Sequence, residues 1–301
     1  MMVKTFSDAE RHIVNIFTVN SSFIYDNTKY TINVVDKPTC SKGEPKTDIY
    51  VGATSETSMY HEFKISFKKE NADFLENKTN ATRAEQLLGP NWSNIISNAT
   101  MNLYENFHSR PLIYKSKFSR TNPGSITLGW KFEILNKKSG ELSSNISLAL
   151  KQVEDVYSGI NLSPDKRHSI VNNRIIKNSG IANFILFEDT SMSINNIQDV
   201  IDSLIPITDY VSDNPNVFFA CKALNYRTYK DKYDGDRPLA VYVNWFVRNN
   251  KLAYEIKFDT PLKQGGNLVS DNLKKALRQL NVTTTDDLNN SNVEDPSIIY
   301  E

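Results

Sequence analysis

Two strand patterns that follow each other directly constrain this chain more than any other feature. The first, TDIYVGA (residues 47–53), begins shortly after Pro45. The second, YHEFKISF (residues 60–67), follows the polar link from Thr54 to Ser58. Short runs of β-branched and aromatic residues bounded by proline and polar links are typical of strands. We therefore expect two adjacent strands here.

The alternation in the second strand separates charged from apolar side chains. Residues two apart in a strand lie on the same face, so Glu62 and Lys64 project together, while Phe63 and Ile65 point to the opposite face. If the first strand lies alongside, Asp48 brings a second carboxylate to the same edge. The sequence thus predicts that two carboxylates and an ammonium meet.

Such a set suits Mg²⁺-dependent cleavage of phosphodiester bonds. A hard cation takes oxygen ligands and keeps several of its waters, one of which can attack phosphorus. We expect Asp48 and Glu62 to be catalytic metal ligands, and Lys64 to orient the attacking water or neutralise the charge that develops on the phosphate. Glu44, which lies in the polar loop before Asp48, is a second-rank candidate ligand.

At these residues the chain resembles the PD-(D/E)xK nuclease superfamily, across about its first third. The family pattern is Pro-Asp, a spacer, and then Asp/Glu-x-Lys; here P-K-T-D is followed by thirteen residues and E-F-K. The resemblance implies an endonuclease like type II restriction enzymes or phage nucleases, which cuts double-stranded DNA with Mg²⁺ or Mn²⁺ and works as a homodimer. It also implies that Glu10, on the first helix, could join the metal site, although its spacing from Ser7 favours a capping box over that role.

A second hypothesis stays open beside the nuclease. Alternating charged and apolar residues also describe any amphipathic strand, so the Asp48, Glu62 and Lys64 set could arise by chance or be a decayed site. The chain would then be a non-catalytic module that binds nucleic acid or protein, of phage or bacterial origin.

Composition limits the other classes. The 301 residues contain 35 Lys and Arg against 35 Asp and Glu, so contact with DNA requires local clusters of positive charge. Two cysteines are too few for a zinc site or a disulfide framework. No signal peptide, bilayer-spanning run, P-loop or G-x-S-x-G motif is present. We expect a protein of the bacterial or phage-infected cytoplasm, with no membrane partner.

The order of patterns predicts an α/β fold with a mixed central sheet flanked by helices. We expect a restriction-endonuclease-like core over residues 1–120 and a strand-rich α/β extension over residues 121–282, a candidate DNA-recognition part. A flexible acidic tail is expected over residues 283–301. Helices are expected at 67–89 and 144–157, and a central strand at 179–187.

Basic residues in three segments are candidates for nucleic-acid contact. Lys42 and Lys46 lie in the loop before Asp48, and the helix predicted over 67–89 carries Lys68, Lys69, Lys78 and Arg83. The segment NYRTYKDKYDGDRP (225–238) interleaves aromatic and basic side chains: Tyr226, Arg227, Tyr229, Lys230, Lys232 and Arg237. This composition suits stacking on bases and neutralisation of phosphates. For Lys42 and Lys46 and for the segment 225–238, the alternative is an exposed loop. For the basic residues of 67–89, the alternative is a helix face that contacts only solvent.

Overall fold

The computed structural model of the chain describes residues 6–69, 74–77, 79–188 and 194–301. Its helices are α1 (Phe6–Ile16), α2 (Ala81–Leu88), α3 (Trp92–Met101), α4 (Tyr104–His108), α5 (Leu150–Ser158), α6 (Pro164–Arg167), α7 (Ile197–Asp202), α8 (Ile207–Asp213) and α9 (Gly266–Gln279). Single 3₁₀ turns lie at Thr228–Lys230, Thr285–Asp287 and Pro296–Ile298.

Most of the long strands belong to two sheets. In chain order the strands are β1 (Ser22–Tyr25), β2 (Thr28–Asp36), β3 (Ile49–Ser55), β4 (Tyr60–Lys69), β5 (Phe74–Glu76), β6 (Ile113–Tyr114), β7 (Ser125–Leu135), β8 (Ser143–Ile146), β9 (Ile170–Val171), β10 (Arg174–Ile175), β11 (Phe184–Glu188), β12 (Ile205–Pro206), β13 (Val217–Arg227), β14 (Lys232–Tyr233), β15 (Pro238–Leu239), β16 (Val241–Arg248), β17 (Lys251–Lys257), β18 (Gln264–Gly265) and β19 (Ile299–Tyr300). The predicted α/β class, with mixed sheets and helices, is confirmed.

The chain divides into two compact units that are interleaved along the sequence. Unit 1 comprises Met1–Asp73 and Leu148–Asn216, and unit 2 comprises Phe74–Ser147 and Val217–Glu301. This division differs from the boundary predicted at residue 120. The cause is the parallel pairing of β4 with β11. Parallel neighbours need a crossover connection, and here the connection contains the whole first segment of unit 2.

Unit 1 is built on a sheet with the order β1-β2-β3-β4-β11-β12. One face buries Ile13 of α1, Phe63 and Ile65 of β4, and Val200 of α7 in a common core. On the other face, the Tyr210 ring of α8 packs against Phe187 of β11 and Tyr157 of α5. The sheet is therefore covered by helices on both faces, and its alternating pattern places the β4 phenylalanines inside as predicted.

Unit 2 is built on a sheet whose main path is β14-β13-β7-β16-β17, with β5, β6, β8 and β19 joined at its sides. Trp130 and Phe132 of β7 lie fully inside and contact Phe107 and Phe219, with ring centroids 4.9 and 5.1 Å apart. The indole N–H of Trp245 donates to the carbonyl oxygen of Thr127 at 2.9 Å. The predicted hairpin of β16 and β17 is present.

Three sequence predictions are wrong in the described residues. The start of the helix expected at 67–89 is the end of β4, and α2 begins only at Ala81; the helix expected at 144–157 begins as β8. The expected flexible tail is folded: Leu288, Val293 and Ile298 are buried, and β19 pairs with β6. Sparse apolar residues thus anchor the tail despite its polar composition.

Gly129 allows an irregularity at the centre of the unit 2 sheet. Its φ is +151°, and a Cβ there would lie 2.5 Å from the carbonyl oxygen of Val241. We expect Gly129→Ala to lower the unfolding free energy by at least about 2 kcal/mol, because left-handed strain and a backbone clash add. Gly140, with a φ of +85° and open space around it, is the control and suffers the strain alone. Equal losses in urea denaturation of the two variants would contradict this account.

Among the helices that the structure describes, none has both the length and the apolar character needed to cross a membrane.

Candidate functional site

Asp48 lies just before β3 and beside the second half of β4. Its backbone N–H donates to the carbonyl oxygen of Ile65 at 2.8 Å. Its carboxylate Oδ2 accepts from the backbone N–H of Phe67 at 2.8 Å and from the hydroxyl of Ser66 at 3.4 Å. The carboxylate therefore lies beside the Ser66-x-Lys68 end of the strand.

The environment of Asp48 makes its charge costly. Burial raises the pKa of Asp48 from an ordinary 3.8 to about 6, against the opposing effects of the Lys68 ammonium and the Phe67 N–H. Glu10 raises the pKa further, and Lys37 lowers it. A desolvated carboxylate next to specific charges is characteristic of functional sites.

Lys37 forms an ion pair with one acidic candidate, Glu10, and is affected electrostatically by two others, Asp48 and Glu44. Its Nζ lies 2.6 Å from Oε1 of Glu10, whose side chain is only 8% exposed. Burial lowers the pKa of Lys37, but the hydrogen bond to Glu10 and the charges of Glu10, Asp48 and Glu44 outweigh it and raise the pKa. Three of the four predicted metal ligands thus act on one cation, so this position favours positive charge.

Asp48 and Glu10 are the carboxylates of this edge whose chemistry suits Mg²⁺. Within the ranges that the structure describes, no three Asp, Glu, His or Cys side chains are grouped so that they could hold a metal by themselves. Mg²⁺ is usually bound through one or two carboxylates, with waters and substrate phosphates completing its shell. Glu10 already binds an ammonium, and Asp48 acts on the same ammonium electrostatically, so these two carboxylates are the candidates for that role.

Glu62 lies apart from Asp48. In the β3–β4 register Glu62 is opposite Gly52, whereas the partner of Ile49 is Ile65. Asp48 and Gly52 are four residues apart, which is about 13 Å along a strand. The structure therefore does not bring the Asp48 and Glu62 carboxylates to one point, and the predicted pair of metal ligands is not formed.

Glu62 and Lys64 instead belong to a hydrogen-bonded network on the same face. The Tyr50 hydroxyl donates to Oε1 of Glu62 at 2.5 Å, and the Lys64 Nζ lies 3.5 Å from Oε2. Lys64 also donates to the carbonyl oxygen of Asn178 at 3.3 Å, while Asn183 bonds the backbone of both residues. These contacts tie the strand to the connection before β11, a structural role.

The predicted phosphate contacts near the amino-terminal strands have mixed outcomes. Lys42 is exposed and Lys46 is partly buried. The side chain of Lys69 and the whole of Lys78 lie outside the described residues. Arg83 is nearly buried in an ion pair with Glu76, with 2.7 Å between Nη2 and Oε1, so a structural role accounts for it.

The aromatic and basic segment of unit 2, residues 225–238, contains some side chains that are buried or hydrogen-bonded and others that are exposed to solvent. Tyr226 is buried and donates to Asp231 at 2.8 Å, and Arg227 makes two hydrogen bonds to Asp234, at 2.9 and 3.0 Å. Arg237 is partly buried. The side chains left open are Tyr229, Lys230 and Lys232.

These open side chains line a cavity of about 670 Å³ within unit 2. Its remaining walls are formed by Asn122, Pro123, Arg227, Tyr233, Asp234 and Gly235. The segment singled out by its composition thus forms a concave surface that carries both aromatic rings and positive charge.

The sequence patterns do not indicate Ser66 and Lys37 as neighbours of Asp48, and they predict a helix at Lys68, where the structure has the end of β4. A usable signal was present, because Ser66 and Lys68 continue the alternation of Glu62 and Lys64 along the same strand face. No protein-family model, no curated protein and no solved structure matches this chain.

Proposed function

We propose that this chain is a Mg²⁺-dependent endonuclease that hydrolyses phosphodiester bonds of double-stranded DNA, similar to restriction endonucleases, with its active site in unit 1. The observation that carries the proposal is the partly buried Asp48 carboxylate, which accepts from the Phe67 N–H, has its pKa raised to about 6, and is acted on electrostatically by Lys68, Glu10 and Lys37. The proposed catalytic residues differ in two positions from those that the sequence predicts. Lys68 takes the place of Lys64, and Glu10 takes the place of Glu62 as the second carboxylate.

Each of these residues has a definite task. Asp48 and Glu10 would hold the Mg²⁺ ion, which supplies positive charge at the phosphate and lowers the pKa of a bound water. The Phe67 N–H fixes the orientation of Asp48 through its 2.8 Å hydrogen bond. Lys68 offsets the negative charge that grows on the phosphate oxygens. Lys37, whose side chain is 49% exposed, can leave Glu10 when a metal binds there.

The alternative is a binding module without catalysis. The observation that favours it is the network of Tyr50, Glu62 and Lys64, which gives the motif residues a purely structural explanation. The two functions differ in whether phosphodiester bonds break in the presence of a divalent cation.

Cys40 and Cys221 are both free thiols, which suits the cytoplasm that we propose as the location of this protein.

The test is cleavage of supercoiled and linear double-stranded DNA with Mg²⁺ or Mn²⁺. We expect Asp48→Asn to lower the rate by at least about 100-fold, because it removes a charged metal ligand. Asp213→Asn replaces an exposed carboxylate of the same unit and should leave the rate unchanged. If the wild type shifts DNA in a gel but cuts it with neither ion, the binding module is correct.

A further inference from the structure

The unit 2 cavity combines an aromatic wall with an excess of positive charge. Arg227, Lys230 and Lys232 contribute three cations, against the single carboxylate of Asp234. That carboxylate is already occupied by its two hydrogen bonds from Arg227. Lys230 and Lys232 make no ion pair with any residue that the structure describes, so their charge is available to an anion.

The Tyr229 ring is exposed and at the same time held in place. Its hydroxyl donates to Asp286 at 2.8 Å. The ring lies against Gly124, where a Cβ would be only 2.5 Å from the Tyr229 Cδ2. The preceding residue, Thr228, is buried and bonds the Gly124 carbonyl oxygen through both its N–H, at 2.7 Å, and its hydroxyl, at 3.0 Å. The ring is thus fixed at its hydroxyl and along the side that faces Gly124, while 49% of the residue stays exposed.

A ring fixed in this way loses little conformational entropy when a flat ligand stacks on it. Aromatic side chains stack on bases of any sequence, and neighbouring lysines neutralise the attached phosphate. A volume of about 670 Å³ lies within the range of small-ligand sites. Bases inside a duplex are stacked on each other, so only an unstacked base can enter such a cavity.

We propose that the unit 2 cavity binds one unstacked nucleotide of a single-stranded stretch of DNA. The base stacks on Tyr229, and the phosphate pairs with Lys230 and Lys232. The proposal rests on DNA as the ligand of the proposed function. It assigns to unit 2 the capture of an unpaired strand, in addition to the cleavage proposed for unit 1.

The test measures binding without metal, so that failure of the nuclease proposal and failure of this one are distinguishable. Fluorescence anisotropy in EDTA measures the affinity of the full chain for three probes: a single-stranded oligonucleotide, the matching duplex and a free mononucleotide. A 2-aminopurine base in the single strand reports stacking. We expect the single strand to bind at least about tenfold tighter than the duplex, with quenching of the 2-aminopurine.

Three variants separate the ring from general charge. Tyr229→Ala should weaken single-strand binding about tenfold and remove the quenching, whereas Tyr229→Phe, which keeps the ring and its contact with Gly124 but loses the bond to Asp286, should retain the quenching and most of the affinity. Lys138→Ala removes an exposed cation of the same unit outside the cavity and should change neither. Thermal melting shows whether each variant is folded. If Tyr229→Ala does not fold, the double variant Lys230→Ala/Lys232→Ala replaces it in the binding measurement.

Several outcomes overturn the proposal. Equal affinity for single strand and duplex, unchanged by Tyr229→Ala, leaves only general electrostatic attraction. Tight binding of the mononucleotide with no gain from the strand assigns the cavity to a free nucleotide. Absence of binding to all three probes removes nucleic acid from unit 2, whatever the cleavage assay shows.

Discussion

Lys68→Ala is expected to lower Mg²⁺-dependent DNA cleavage by at least about 100-fold, and Lys64→Ala to leave it within a few-fold of the wild type. Lys68 acts electrostatically on Asp48. Lys64 is held 3.5 Å from Glu62 and 3.3 Å from the Asn178 carbonyl oxygen, where its charge is already used. The measurement is the single-turnover rate on one duplex, with all three proteins at matched concentration.

The pair of variants discriminates between two active sites that lie on one strand. Both substitutions remove an ammonium from the same face of β4, so a change in total charge affects both equally. Loss of cleavage in Lys64→Ala alone would instead support the Asp48, Glu62 and Lys64 set that the sequence predicts. Thermal melting of each variant shows whether a rate change reflects unfolding, which matters most for Lys64 because of its network.

The faces of the β3–β4 hairpin could be predicted from sequence, but its register was not. Alternation has a period of two, so sliding one strand by two or four residues leaves every side chain on its face. Glu62, Lys64, Ser66 and Lys68 are therefore equivalent by pattern, and the pattern alone favours the acidic residue, Glu62, as the partner of Asp48. The short link decides between them: Thr54 pairs with Tyr60, and counting six residues back and forward from there places Asp48 opposite Ser66.

The interleaving of the two units could not be predicted from local patterns. Local patterns place each segment in the domain of its neighbours in the chain, whereas the pairing of β4 with β11 joins residues more than a hundred positions apart. The fold of the tail, residues 283–301, could not be predicted from local patterns either. Leu288 and Val293 are isolated among polar residues, yet both are fully buried because unit 2 provides surfaces that sequence composition does not reveal.

The neighbours of Asp48 depend on tertiary placement as well. Glu10 reaches this edge because α1 packs its apolar face, including Ile13, on the unit 1 core. Lys37 directly follows Asp36, the last residue of β2, and from this position its ammonium contacts the Glu10 carboxylate. The sequence favours a capping role for Glu10, and only its burial beside Lys37 identifies it as part of the acidic edge.

Asp48→Asn is expected to stabilise the folded protein above pH 6, by up to about 3 kcal/mol. Because the folded-state pKa of about 6 exceeds the ordinary 3.8, the protonated carboxyl stabilises the fold below about pH 4, and this contribution is lost as the pH rises through 6. Asparagine keeps an acceptor for the Phe67 N–H and carries no charge to desolvate.

The measurement is urea denaturation of the wild type and Asp48→Asn between pH 4 and pH 8, without metal. The two unfolding free energies should agree near pH 4 and separate as the pH rises through 6, while Asp213→Asn follows the wild type throughout. A difference that does not change with pH would show that the Asp48 carboxyl is not desolvated in the folded protein. Adding Mg²⁺ at pH 8 should then stabilise the wild type and leave Asp48→Asn unaffected, because binding requires the carboxylate. The same substitution that strengthens the fold would therefore abolish Mg²⁺ binding, as expected where a partly buried charge is retained for function and not for stability.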